Sequence, residues 1–212
     1  MNKLCKIYDE LQLKYGDKNL NSVYGGGEEH NPKICLVFMN PTAKNIATSK
    51  SWDGVRYQWL GTKQIWKFLS KAGIFNENLN NEIQNKKPNE WDNEFCIKVY
   101  NEVKANSVYI TNLAKCTQVD ARPLSNSIFM EYKNYLMEEL AKVNPQKIIF
   151  FGNQVSSIML NKNISVSKCR REQFSLNIKN KSYNCYAVFY PVGNGFFNAD
   201  KAIEDLKYII NC

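Results

Sequence analysis

Ile34-Cys35-Leu36-Val37-Phe38-Met39 is an unbroken apolar run, rich in β-branched and aromatic side chains, that stops at Asn40-Pro41-Thr42. Six residues are strand length, and a run without polar alternation is a strand covered on both faces. Such strands belong to sheets flanked by helices, so this one stretch predicts an α/β domain. The proline ends it, because proline drives its predecessor out of the α region and cannot extend a ladder. Ligands of open α/β sheets sit outside the carboxyl ends of the strands, which puts Asn40 where chemistry takes place. An ordinary turn after a strand would read the same, but three later segments, 107–113, 147–152 and 186–191, repeat a buried strand running into polar residues or glycine.

Helical spacing fills the intervals. Leu4, Ile7, Tyr8, Leu11 and Tyr15 mark one amphipathic helix over 2–15, closed by Gly16. Gly25-Gly26-Gly27 lacks the Lys-Ser/Thr ending of a phosphate loop and reads as a flexible linker. Residues 59–63 open a helix with Ile65, Trp66, Leu69 and Ala72 inward and Gly73 at its end. Residues 76–93 are asparagine-rich and read as a polar surface insertion. Further helices are expected over 92–104, 126–143 (Phe129, Tyr132, Leu136 and Leu140 inward), 154–160 and from about 198, with an alternating strand at 174–178. Residues 1–33 form an N-terminal helix and loop, and no linker divides the chain. The expectation is one domain over 1–212, a three-layer α/β/α sandwich around a mostly parallel sheet.

Composition narrows the chemistry. A formal net charge of +8 favours a polyanionic partner. The seven cysteines are scattered without a C-x-x-C pair, and His30 is the only histidine, so a zinc site is not expected and free thiols are. No apolar run reaches membrane-spanning length and the N-terminus has no signal-peptide core, which predicts a cytoplasmic protein without a membrane partner. A monomer is expected.

Five short motifs in order carry a resemblance: Met39-Asn40-Pro41-Thr42, Trp59-Leu60-Gly61, residues 109–116 reading Tyr-Ile-Thr-Asn-Leu-Ala-Lys-Cys, residues 148–152 reading Ile-Ile-Phe-Phe-Gly, and Tyr190-Pro191. Together they resemble the uracil-DNA glycosylase superfamily over roughly residues 34–210. The third motif is most similar to the thermostable bacterial and archaeal class. The Met-Asn-Pro turn is more similar to the mismatch-specific and single-strand-selective classes.

The resemblance implies a glycosylase-like fold that flips a pyrimidine out of DNA and hydrolyses its N-glycosidic bond. It places Asn40 as the residue that positions water. Tyr190 stands where many members have the histidine that hydrogen-bonds the base; a phenol can donate one hydrogen bond but is no proton shuttle at neutral pH. Trp59 matches the aromatic that stacks on the flipped base, and Asn112 the amide that reads the pyrimidine edge, with Met39 and Thr42 beside them. Core packing for Trp59, a helix N-cap or turn asparagine at 112 and a packed strand-end tyrosine at 190 are the alternatives.

The thermostable class also carries an iron–sulfur cluster. Here Cys116 matches one ligand, the N-terminal C-x-x-C is missing and Tyr132 lies near where the last ligand would fall, so neither cluster nor other cofactor is expected. Phosphate contacts are expected from Lys44, Lys115, Arg122, Lys168, Arg170 and Arg171, in loops flanking the pocket. Asn194 and Phe196 lie in the loop after the last core strand, where Phe196-Phe197 either wedges into the base stack or docks the last helix.

In the strictly uracil-specific branch a tyrosine follows the motif's proline and blocks C5 substituents. Thr42 removes that wall, and Asn112 could turn its amide towards a cytosine amino group. The expected substrate is therefore uracil or a 5-modified pyrimidine, with hydroxymethylated or glucosylated cytosine of phage DNA, and hence antiviral defence, as the alternative. A non-catalytic nucleic-acid-binding module on the same fold is the other.

Overall fold

The computed structural model describes residues 1–121 and 124–212. Among these residues six strands form one sheet in the order β1-β3-β2-β4-β6-β5, where β1 is Gly26–Gly27, β2 Ile34–Phe38, β3 Val108–Asn112, β4 Lys147–Phe151, β5 Gln173–Ile178 and β6 Lys181–Val188. The four central strands are parallel, and β1 and β5 pair antiparallel at the two edges. The parallel strands are covered on both faces, as their apolar runs require. Side chains of β2 alternate: Ile34, Leu36 and Phe38 join the core on one face, Cys35 and Val37 the core on the other. Helices α2 (Gln64–Lys71), α3 (Glu77–Asn85), α4 (Asn93–Ala105) and α7 (Ala199–Asn211) cover the first face. Helices α1 (Asn2–Tyr15), α5 (Asn126–Val143) and α6 (Asn153–Leu160) cover the second. No helix among the described residues is long and apolar enough to cross a membrane.

The chain passes from β2 to β3 on one side and then crosses to β4 on the other. The ends of β2, β3 and β4 therefore border the switch point at which open α/β sheets form their crevice.

Two expectations fail here. Gly25-Gly26-Gly27 is no flexible linker: Gly26 and Gly27 pair with Ile110 and Tyr109 as the edge strand. A Cβ on Gly25 would lie 2.2 Å from the Tyr109 hydroxyl, so close packing requires the glycine. Residues 76–93 are not a surface insertion. Leu79 and Ile83, four apart on α3, and Trp91 are buried in the first core. The asparagines misled because one of them is a cap: Asn76 accepts a hydrogen bond from the Leu79 N–H at 3.0 Å.

Candidate nucleic-acid interface and active site

The loops leaving β2 and β3 run side by side, stitched by main-chain hydrogen bonds. Leu113 N–H donates to Phe38 O (2.8 Å), Ala114 to Met39 O (3.0 Å), Gln118 to Pro41 O (3.2 Å) and Ala43 to Gln118 O (2.9 Å). The ladder thus continues past the sheet and carries Asn40 and Asn112 to the mouth of one cleft of about 1020 Å3. Both amides line it, as do Met39, Thr42, Trp59 and Tyr190.

Asn40 is 6% exposed; its Nδ2 donates to Pro41 O at 3.2 Å, and its Oδ1 is buried without a partner. Asn112 is 1% exposed; its Nδ2 donates to Gln58 Oε1 at 2.9 Å, and its Oδ1 is likewise unpaired. Buried polar atoms are nearly always satisfied, so two orphan carbonyl oxygens in one cleft are acceptors that a bound molecule would complete.

Trp59 adopts φ +64°, a left-handed conformation unusual for a bulky side chain. Its carbonyl holds it there by accepting from Thr62 N (3.1 Å), Thr62 Oγ1 (2.6 Å) and Trp66 Nε1 (3.3 Å). Gly61 (φ +76°) must follow, since a Cβ would sit 2.4 Å from Ile46 Cγ2. The Trp59 ring meets Phe38 edge-on at 5.1 Å, with its Nε1 unpartnered, and Tyr190 meets the same Phe38 edge-on at 6.0 Å. Burial pushes the Tyr190 phenol above its ordinary pKa, which keeps it a neutral O–H donor.

Behind Asn112 lies a saturated ionic cluster. Lys115, fully buried, pairs with the fully buried Glu139 of α5 at 3.0 Å and donates to the Asn112 main-chain carbonyl at 2.5 Å. Glu139 also accepts from Tyr8 (2.6 Å), Tyr109 (3.1 Å) and Thr111 (2.6 Å). Burial lowers the Lys115 pKa, and Glu139 pulls it back up.

The family model described as the uracil DNA glycosylase superfamily matches residues 24–206. The chain belongs to that superfamily. Comparison with curated proteins finds no significant match. Membership gives this glycosylase-family chain a glycosylase-type function and DNA as its partner in general terms.

Its fold does not suit the cluster of the thermostable class. Cys116 is buried in the second core beside Tyr132, whose phenol stands where the cluster would need a further thiolate ligand. Among the described residues, no three histidines, cysteines, aspartates or glutamates converge.

The basic residues divide. Lys44 and Asn194 line the cleft and are exposed. Lys115 is not a phosphate contact: it is inside the protein, its charge spent on Glu139. Arg170 and Arg171 are not free cations either. Both pair with the buried Asp205 of α7, at 2.9 and 3.0 Å, and with Glu204, at 3.0 and 3.6 Å. Lys168 is exposed on the preceding 3-10 turn, away from the cleft lining. Arg122 lies outside the described residues. Phe196 and Phe197 are 59% and 94% exposed on the 3-10 segment Gly193–Asn198, whose first residues line the cleft, so they do not dock the last helix.

Sequence reasoning missed Gln58, 1% exposed in the cleft, and Pro88, by which the supposed insertion reaches the cleft. Only its place next to Trp59 could have drawn attention to Gln58.

Proposed function

We propose that this protein is a monofunctional DNA glycosylase acting on uracil or a 5-substituted pyrimidine flipped into the cleft. The observation that carries this reading is the pair of orphan carbonyl oxygens, Asn40 Oδ1 and Asn112 Oδ1, in one cleft with Trp59. Trp59 stacks on the flipped base, a contact worth about 1–3 kcal/mol. Asn112 reads its edge through Oδ1 and the remaining Nδ2 hydrogen. As the C1′–N1 bond breaks, its electron pair moves into the base, and the Tyr190 O–H donates to the oxygen on which charge builds. Asn40 Oδ1 accepts a hydrogen bond from the water that attacks C1′; that water's oxygen becomes the new C1′ hydroxyl and its other proton is released. Asn40 orients water without abstracting its proton, so the reaction leans on the stabilised leaving base. Lys44 and Asn194 meet the backbone, and the exposed Phe196 and Phe197 fill the stack.

Thr42 supports the wider substrate range: it lines the cleft, only partly buried, where a larger side chain would stand over C5. Hydroxymethylated or glucosylated phage cytosine, and a defence role, form the extended version of this reading. The test is alkali cleavage after incubation with oligonucleotides carrying one uracil, thymine mismatch, 5-hydroxymethylcytosine or glucosylated 5-hydroxymethylcytosine. Abasic sites on at least one, unaffected by EDTA and without a borohydride-trapped adduct, are expected. A trapped adduct would remove the monofunctional claim, and no abasic site on any would remove the glycosylase. Cleavage of uracil alone, unchanged in Thr42→Tyr, would remove the wider range.

A second reading, a module that holds DNA without cutting it, follows from Tyr190, because a neutral phenol shuttles no proton. It predicts retained affinity for these oligonucleotides with no strand scission.

A further inference from the structure

Gln58 belongs to none of the motifs that mark the family, yet two neighbours dictate how its amide is turned. The Val23 main-chain carbonyl lies 3.4 Å from Gln58 Nε2. A carbonyl can only accept, so the Nε2 end must face it and Oε1 must point away. Oε1 points at Asn112, whose Nδ2 donates to it at 2.9 Å. Turning Asn112 over would set Oδ1 against Gln58 Oε1, acceptor against acceptor in a buried site, and Gln58 cannot turn in response without facing Val23 O with its own oxygen. Both backbones are pinned as well: the Tyr100 hydroxyl donates to Gln58 O at 2.9 Å, and Lys115 to Asn112 O.

A free asparagine amide can serve two pyrimidine edges by turning over. One order of acceptor and donor suits the N3–H and O4 of uracil and its 5-substituted forms. The reverse order suits the N3 and amino group of cytosine and its 5-substituted forms. We propose that Gln58 is a specificity-determining positioning residue: the relay from Val23 O through Gln58 locks the Asn112 amide in one orientation, so the cleft reads one of these edges and not both. The inference rests on the glycosylase reading, and it removes the freedom to turn that the sequence alone left to Asn112.

The experiment is single-turnover cleavage of two oligonucleotides that differ only at the reading edge, one carrying 5-hydroxymethyluracil and the other 5-hydroxymethylcytosine. The wild-type protein should prefer one strongly. Gln58→Met, equal in length but without hydrogen-bonding atoms, should narrow the ratio by roughly tenfold or more, chiefly by gaining rate on the disfavoured base. Gln58→Glu keeps an acceptor towards Asn112 and should retain the preference, with both rates lowered because its second oxygen meets the Val23 carbonyl. A merely structural role would lower both rates together and leave the ratio alone. Should Gln58→Met fail to fold, Gln58→Leu carries the same expectation. A wild-type protein that cleaves both bases equally, or a ratio unchanged in the apolar variant, would overturn the lock while leaving the glycosylase standing. Absence of cleavage of any pyrimidine by the wild type would overturn both.

Discussion

Lys115 and Asn112 stand three residues apart at the end of β3, and the fold treats their polar atoms in opposite ways. The Lys115 ammonium is enclosed and saturated by the Glu139 carboxylate and the Asn112 carbonyl, and Glu139 in turn takes three hydroxyl donors. Asn112, together with Asn40 across the paired loops, keeps a buried carbonyl oxygen without a partner. The fold thus closes the hydrogen bonding of the ion pair with its own side chains and leaves two carbonyl oxygens at the cleft for whatever enters it. The saturated cluster is scaffold, holding the loop that the unsaturated pair uses.

Breaking the scaffold side should have the largest effect. Lys115→Met leaves Glu139 buried without its counter-ion and should cost about 3–5 kcal/mol in urea unfolding. The double variant Lys115→Met, Glu139→Gln should recover part of that loss. A single variant as stable as wild type would mean that the cluster does not hold this strand end.

On the cleft side, Asn40→Ala removes the orphan acceptor. The single-turnover rate should fall about 10²–10³-fold with DNA affinity nearly unchanged and no loss of stability comparable to Lys115→Met. A variant that destabilises the protein but cleaves normally would place Asn40 with the scaffold instead.

The two sides also differ in how far the sequence announced them. Asn40, Trp59 and Asn112 stand at strand ends or glycine turns, positions set by local chemistry: a proline, a Gly61 that no other residue can replace, and a polar stop to an apolar run. The strand and helix cores were equally readable from spacing, as with Phe129, Tyr132, Leu136 and Leu140 on α5. Charges were not, because a lysine has the same letter in a phosphate groove and inside a buried ion pair. What separates Lys115 from Lys44 is Glu139, 24 positions on, brought to it by the packing of α5 on β3. The same holds for Arg170 and Arg171, whose partner Asp205 is on the last helix. Gln58 was invisible for a related reason, since its meaning comes from Val23 and Asn112 together.

Tyr190 tests a smaller term on the cleft side. Its phenol, raised by burial, stays protonated above the ordinary tyrosine range, so its O–H remains available throughout neutral and mildly alkaline solution. Cleavage should then show no alkaline loss attributable to Tyr190 between about pH 7 and about pH 9.5, where an unshifted phenol would begin to ionise. Tyr190→Phe should lower the rate about tenfold or somewhat more, the worth of one hydrogen bond to a developing charge. A rate that is unchanged in Tyr190→Phe would return this residue to packing against Phe38.

The smallest effect separates a cation at the cleft from cations already matched. Lys44 is exposed at the cleft, and a phosphate contact there releases about one counter-ion, so Lys44→Ala should reduce the slope of log affinity against log salt by about one. Arg170 is committed to the fully buried Asp205, and its removal exposes that mismatch to the fold without touching DNA. Arg170→Ala should therefore lower the unfolding midpoint and leave the salt slope where it was. The two measurements must move in opposite patterns for the distinction to hold: slope without stability for Lys44, stability without slope for Arg170. A drop in slope for Arg170→Ala would mean that DNA competes with Asp205 for the guanidinium, and that the matched charges of this molecule are part of its binding face after all.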